Sequence, residues 1–498
     1  MISKKYHKYF LLALVIWARP LLASQQILDP TIYQSEINYL HALQDNRLLE
    51  TDLRSMTQSE LNQYINSLNL SGDDSAYFLK FTKNTYETPY VVFNAQLKNF
   101  FTVHNSRPAS LLQTNAHTDP LLSTNHNIFA NHSYMGASGQ FYAEAFDFFS
   151  FDFKPFFLAH DDPATRNVFI NEAYGSLHIN RLTFDVGKVA LHWGYGAYQP
   201  MIFGDDSEPF LMVRARNNED IEFDGPLSFL GKIKFQMFFG WMDQLRTYPN
   251  GHMMGSTFSF QPTPRFNFHL SQTVLYGGDG APTNNPLVIV NESFVDGTKN
   301  PANRNTIFGF RYRIPGIEME PYLDVYVEDC CGTPPVNPRD MLNLLGVYMP
   351  PKDAGKKFDL AVEWVRTNYI TYRHDAFTYS ESKKIMGHPI GPDANGIYAV
   401  GRYFHSKKLQ FENLFAYEIR GREGRALSNM GVKDIRTVVP SFQGSEQRYR
   451  LEQSINFFAK PSWKWTVHLG GEHVQTLGYQ TGKSKWSGIF GLESAYNF

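Results

Sequence analysis

The chain has 498 residues, with 46 lysines and arginines against 48 aspartates and glutamates and a net charge of -2. This balance offers no bulk field to recruit nucleic acid, and two cysteines, adjacent at Cys330 and Cys331, cannot build a disulfide framework or a cysteine zinc site. Aromatic residues make up 15% of the chain, and beyond the N-terminus no apolar run approaches the roughly 18 residues of a membrane helix, which excludes a helical membrane protein.

At the start, Lys4, Lys5 and Lys8 precede an apolar run over 9–18, then Pro20 and the small-residue pair Ala23-Ser24. This is the layout of a secretory signal peptide, predicted over 1–24. The run is about half the length of a bilayer-spanning helix, so cleavage on export is expected rather than a retained anchor. Residues 25–85 then read as a small periplasmic helical segment. Asp29-Pro30 supplies an N-cap and first-turn proline ahead of Tyr33, Ile37 and Leu40, and Thr57 with Glu60 forms a capping box ahead of Leu61, Tyr64, Ile65 and Leu68. Their apolar stripes are expected to pack against each other or the main domain.

The remaining stretch, 86–498, reads as strands. From Ile317 to Glu328, Ile317, Met319, Pro321, Leu323, Val325 and Val327 alternate with Glu318, Glu320, Tyr322, Asp324, Tyr326 and Glu328. A run of about twelve exceeds the usual 5–6 of a soluble sandwich strand and suits a transmembrane one. Phe358 to Trp364, Leu409 to Ile419 and Trp463 to Leu469 repeat the pattern. Counting such segments between turns predicts an all-β membrane protein, an outer-membrane barrel of about 18 antiparallel strands. The last strand, predicted from Ser487 to Phe498, places Phe490, Leu492 and Tyr496 on one face, interrupted by Ser494. It resembles the terminal signature by which such barrels are recognised by the assembly machinery.

The turn at Pro315-Gly316 suggests a register, with a wider four-residue loop and the same pairing expected because Pro-Gly is not a favoured two-residue hairpin turn. Pairing Ile314 with Ile317 sets Arg313 opposite Glu318 and Arg311 opposite Glu320, with Tyr312 meeting Met319 and Phe308 meeting Leu323 on the lipid side. Arg311, Arg313, Glu318, Glu320 and Asp324 would form a charged ladder in the lumen. Paired opposite charges suit a closed or plugged lumen better than a selective filter.

Other local signals carry little. Gly478 to Ser484 is one residue short of a phosphate-binding loop and lacks its strand-to-helix setting. The 16 histidines show no close metal-ligand spacing, so neither metal nor cofactor is expected. A serine-hydrolase triad could still assemble across strands, because geometry defines it, but no local motif supports an enzyme.

The order of features resembles the Wzi family of capsule-assembly outer-membrane proteins over nearly the whole mature chain. Glu36 to Asn46 looks like the family's helical start. Gly187 through Trp193-Gly194-Tyr195-Gly196 is similar to its Trp-Gly-x-Gly segment, and Val213-Arg214-Ala215-Arg216-Asn217 lies where an Asn-x-Ala-Arg-Pro run is common. Gln261-Pro262-Thr263-Pro264, the strand 266–276 and Gly277-Gly278-Asp279-Gly280 look like its hairpin and glycine loop. The resemblance implies an eighteen-stranded barrel that attaches or organises capsular polysaccharide as a lectin rather than an enzyme, with outer-membrane lipids and the barrel-assembly machinery as further partners. Trp193, Tyr195, Tyr198, Arg214, Arg216 and Asn217 supply the aromatic faces and directional polar groups that sugars need, on a loop expected to face outward. The rival is a substrate-specific porin whose charged inner face lines an aqueous path.

Overall fold

A computed structural model describes residues 91–104, 123–124, 127–128 and, apart from parts of the connections, 133–497. The expected signal peptide of 1–24, the expected helical segment of 25–85, Glu318, Cys330, Cys331 and Phe498 lie outside the described residues.

Side-chain alternation dictates the strands. In Phe358–Arg366, Asp359, Ala361, Glu363 and Val365 are buried while Phe358, Leu360, Val362 and Trp364 are more open, the two-residue period of a sheet with one face inward. Eighteen such strands form one sheet. The first six are β1 (Val91–His104), β2 (Ser133–Ala145), β3 (Phe149–His160), β4 (Val168–Ile179), β5 (Leu182–Val189) and β6 (Phe210–Asn217). There follow β7 (Lys232–Trp241), β8 (His252–Thr263), β9 (Phe266–Tyr276), β10 (Ala302–Tyr312), β11 (Glu320–Glu328) and β12 (Met341–Met349). The last are β13 (Phe358–Arg366), β14 (Ala394–Ser406), β15 (Leu409–Arg420), β16 (Glu446–Lys460), β17 (Trp463–Gln475) and β18 (Ser484–Asn497). Each pairs antiparallel with its neighbours in sequence, and β1 pairs with both β2 and β18, so the ladder returns to its start. Closure satisfies every strand edge, which a sheet in lipid requires.

Short turns such as 180–181, 264–265 and 407–408 lie at one end, and long connections such as 190–209, 277–301, 367–393 and 421–445 at the other. In outer-membrane barrels the long connections face the outside. On the outer wall a row of rings crosses four strands near that end: Tyr417 faces Tyr449, Tyr449 faces His473, and His473 stacks on Trp486 at 4.3 Å. Trp463 and Tyr496 pair near the other end. Trp486 and Tyr496 are ten positions apart on β18. At about 3.3 Å per residue and a tilt of about 40°, that is about 25 Å along the membrane normal, the height of a lipid-facing band between two aromatic girdles. Ser494, the break in the apolar face of β18, accepts the Trp463 indole N–H at 3.0 Å.

The β10–β11 hairpin corrects the expected register. Ile314 bridges Met319 rather than Ile317, Arg311 faces Tyr322 and Phe310 faces Leu323. Pro-Gly is a poor two-residue hairpin turn, so four residues, 315–318, make the connection and the pairing moves by two. A shift of two leaves each side chain on its face. Arg311 and Arg313 therefore still point inward, but both converge on Glu320: Arg311 Nε donates at 2.9 Å and Arg313 Nε lies at 3.7 Å.

Candidate functional site

The lumen is filled by the protein itself. The β5–β6 connection, expected to face outward, folds into the barrel, and the β13–β14 connection meets it there. Trp193, Tyr195, Met201, Ile202 and Phe203 from the first share one buried cluster with Tyr372, Tyr379, Met386 and Ile390 from the second. Backbone contacts join them: Phe203 N–H donates to Met386 O at 2.7 Å, Ile202 bridges Gly387, and Tyr372 OH donates to Met201 O at 2.8 Å.

Wall carboxylates hold this plug. Asp324 on β11 accepts the Tyr195 N–H at 2.7 Å, and Glu363 on β13 accepts those of Ala197 and, at 3.0 Å, Tyr198, besides the Tyr322 hydroxyl at 2.7 Å. Gly194 makes the first contact possible, because its φ is 128° and a Cβ there would meet Asp324 Oδ2 at 2.7 Å. Tyr195 donates its hydroxyl to Asn267, and its ring stands edge-on to His269 at 4.7 Å. Tyr198 stacks on Tyr398 at 4.5 Å, and Arg450 Nη1 donates to its hydroxyl at 3.2 Å. His388 caps this group; burial, against the pull of Glu418, pushes its imidazole down to about 3, so the ring is neutral.

The six residues singled out for sugar contact therefore separate. Trp193, Tyr195 and Tyr198 belong to the plug, with Trp193 only 1% exposed and edge-on to Phe203 at 5.1 Å. Arg214, fully buried, and Arg216 share the Asp185 carboxylate at 2.7 and 3.3 Å across the β5–β6 ladder. Asn217 finishes β6, donating to Ile233 O at 2.9 Å and accepting the Phe235 N–H at 2.6 Å. Of the lumen ladder, Arg311, Arg313 and Glu320 meet as one cluster, whereas Asp324 serves the plug.

Asp324 also completes a serine–histidine–aspartate set. Its Oδ1 lies 2.9 Å from His269 Nε2, and His269 Nδ1 lies 3.2 Å from the Ser271 hydroxyl. The ring is reversed relative to a serine-hydrolase triad, in which Nε2 serves the serine and Nδ1 the aspartate. Ser271 is fully buried and shares its hydroxyl with Thr257 at 2.7 Å. The set works as a strut beneath the plug. Among the described residues, no group of three or more histidine, cysteine, aspartate or glutamate side chains is placed to hold a metal.

At the rim, the hairpin of Ser380–Glu381 and Lys384–Ile385 reaches the β7–β8 connection. Glu381 accepts the Asp243 N–H at 3.1 Å and lies 3.6 Å from Arg246. Burial, with Asp243 beside it, pushes the Glu381 carboxyl up to about 8 despite the arginine. The same β7–β8 connection carries Tyr248, packed on Phe377 at 5.1 Å, and Asn250, which forms an exposed pair with Asp279. In the sequence the Gly277-Gly278-Asp279-Gly280 loop is only family-like. No local pattern pointed to Tyr248 or Asn250, since what joins them to Asp279 is contact between two connections.

A closed eighteen-stranded barrel with inward plug loops defines the class, an outer-membrane β-barrel protein. Residues 102–486 match the family of the capsule assembly protein Wzi, and the chain belongs to that family. The solved structure of Wzi from Escherichia coli, described as an outer membrane protein involved in group 1 capsule assembly and a carbohydrate-binding β-barrel, shares the fold. It aligns with a TM-score of 0.68 at 15% identity, over 94% of this chain and 99% of that one. Weaker likenesses include OccD3 (OpdP) of Pseudomonas aeruginosa, with a TM-score of 0.48 at 9% identity, over 83% of this chain and 92% of that one. No curated protein matches the chain by sequence.

Proposed function

We propose that the protein is a lectin-like anchor that holds capsular or other extracellular polysaccharide at the cell surface. The observation that carries this reading, beside family membership, is the plug: buried rings and backbone bonds from two long connections fill the lumen, which leaves the outer loops as the surface for a partner. A solute path through the barrel would have to break those contacts first. In this reading the chain is exported with cleavage of 1–24, the segment 25–85 stays on the periplasmic side, and outer-membrane lipids and the assembly machinery are its other partners.

Deletion of the gene tests it. Polysaccharide should move from the cell surface into the medium while the total made stays constant. Unchanged surface polysaccharide in the deletion strain sinks the anchoring reading. Steady ohmic channels from the pure protein in planar bilayers would point instead to a porin.

A further inference from the structure

At the long-connection end, the β7–β8 and β9–β10 connections lock into one shelf, which packs on the plug through Tyr248 and Ala281 and keeps Asn250 and Asp279 exposed. Asp279 N–H donates to Pro249 O at 2.7 Å, Asn250 Nδ2 donates to Asp279 Oδ2 at 2.7 Å, and Gly278 N–H donates to Asn284 Oδ1 at 2.7 Å. The backbone is set for this one arrangement. Asn250 sits at φ 57°, and Gly278 at φ 108°, where a Cβ would meet Tyr248 O and Pro249 O at 2.7 Å.

The exposed carboxylate–amide pair that this backbone holds adds nothing to the core, since both side chains stay in solvent. The pair uses one amide hydrogen and one carboxylate oxygen, so a donor and an acceptor remain for a ligand. Two adjacent hydroxyls match them, one accepting from Asn250 and one donating to Asp279. Half-buried Tyr248, two positions before Asn250, offers apolar surface for the C–H face of a sugar ring. Charge then selects among sugars. Among the described residues of 242–251 and 277–287 the one cation is Arg246, buried beside Glu381, while Asp279 stands in the open. A uronate would meet the like charge of Asp279.

We infer that this shelf is the glycan subsite and that it takes a neutral hexose unit with vicinal hydroxyls. The inference rests on the anchoring reading. It is tested by titrating the detergent-folded full chain with polysaccharide stripped from the cells that make it, with methyl α-mannoside, methyl β-galactoside, methyl β-glucoside and galacturonate as competitors. Asp279→Asn and Asn250→Gly, the latter compatible with positive φ, should each weaken binding about tenfold, the worth of one hydrogen bond, while heat-modifiable migration on gels stays normal. A neutral glycoside should compete better than galacturonate on the parent protein, a measurement that needs no variant. Parental affinity in both variants overturns the shelf and leaves the anchoring reading standing. Stronger competition by galacturonate overturns the neutral-sugar assignment. If the parent binds no polysaccharide at all, the anchoring reading and this inference fall together.

Discussion

Asp324 and Tyr195, 129 positions apart in the chain, are joined by a 2.7 Å hydrogen bond from the tyrosine N–H to Oδ2 of a fully buried carboxylate, the contact that fastens the plug to the barrel wall. Asp324→Ala removes it and also strips His269 Nε2 of its carboxylate partner, leaving buried polar groups unpaired at about 1–3 kcal/mol each. The expected result is a barrel that still inserts but flickers open in planar bilayers, with Asp324→Ala/Glu363→Ala more open than either single variant. Silent bilayers from the double variant would show that these carboxylates do not hold the plug.

Arg214 tests the division between structure and recognition among the residues first picked for sugar contact. It is fully buried against Asp185, so Arg214→Ala leaves a buried carboxylate with the longer Arg216 contact and the Ser176 hydroxyl. Breaking such a pair costs about 3–5 kcal/mol. The variant should unfold at lower denaturant, yet molecules that do insert should retain polysaccharide as the parent does. Parental stability combined with lost retention would return Arg214 to the binding site.

Why the strands were legible and the plug was not follows from distance along the chain. Alternation in Phe358–Arg366 is written between nearest neighbours, so strand existence and facing could be read directly, as could the lipid face of Trp463 to Leu469. Register at Pro315-Gly316 depended on how many residues the turn consumes, and a difference of two moved every pair without changing any face. Trp193-Gly194-Tyr195-Gly196 has the same local composition as an exposed sugar-binding loop or a buried plug. What decides between them is Asp324, Glu363 and Tyr372, contributed by β11, β13 and the β13–β14 connection.

The observed register predicts the partner in a charge-exchange experiment. Arg313, expected from the sequence to face Glu318, approaches Glu320, so the Arg313→Gln/Glu320→Gln cycle should show a coupling of about 0.5–3 kcal/mol in barrel stability, the range for residues in contact. Urea or heat unfolding of the four proteins in detergent measures it. Additive losses would mean that the β10–β11 pairing is not the one described.

Glu381 gives the rim a pH dependence of defined sign. Its folded carboxyl, buried beside Asp243 with Glu208 adding a smaller push and Arg246 opposing, stands at about 8 against an ordinary 4.5. Below about pH 4.5 both the folded and unfolded states hold the proton and burial costs nothing extra. As pH rises from 4.5 towards 8, the unfolded chain releases its proton while the folded one keeps it, so stability is lost across that window. Glutamine mimics the protonated acid, can still accept the Asp243 N–H, and does not ionise. Subtracting the Glu381→Gln melting profile from the parental one should therefore leave a curve that falls between pH 4.5 and 8 and flattens above it, with hydrogen exchange in 242–251 quickening over the same range in the parent alone. Coincident profiles for the two proteins would mean that Glu381 is ionised throughout, with the Arg246 contact outweighing the cost of burial.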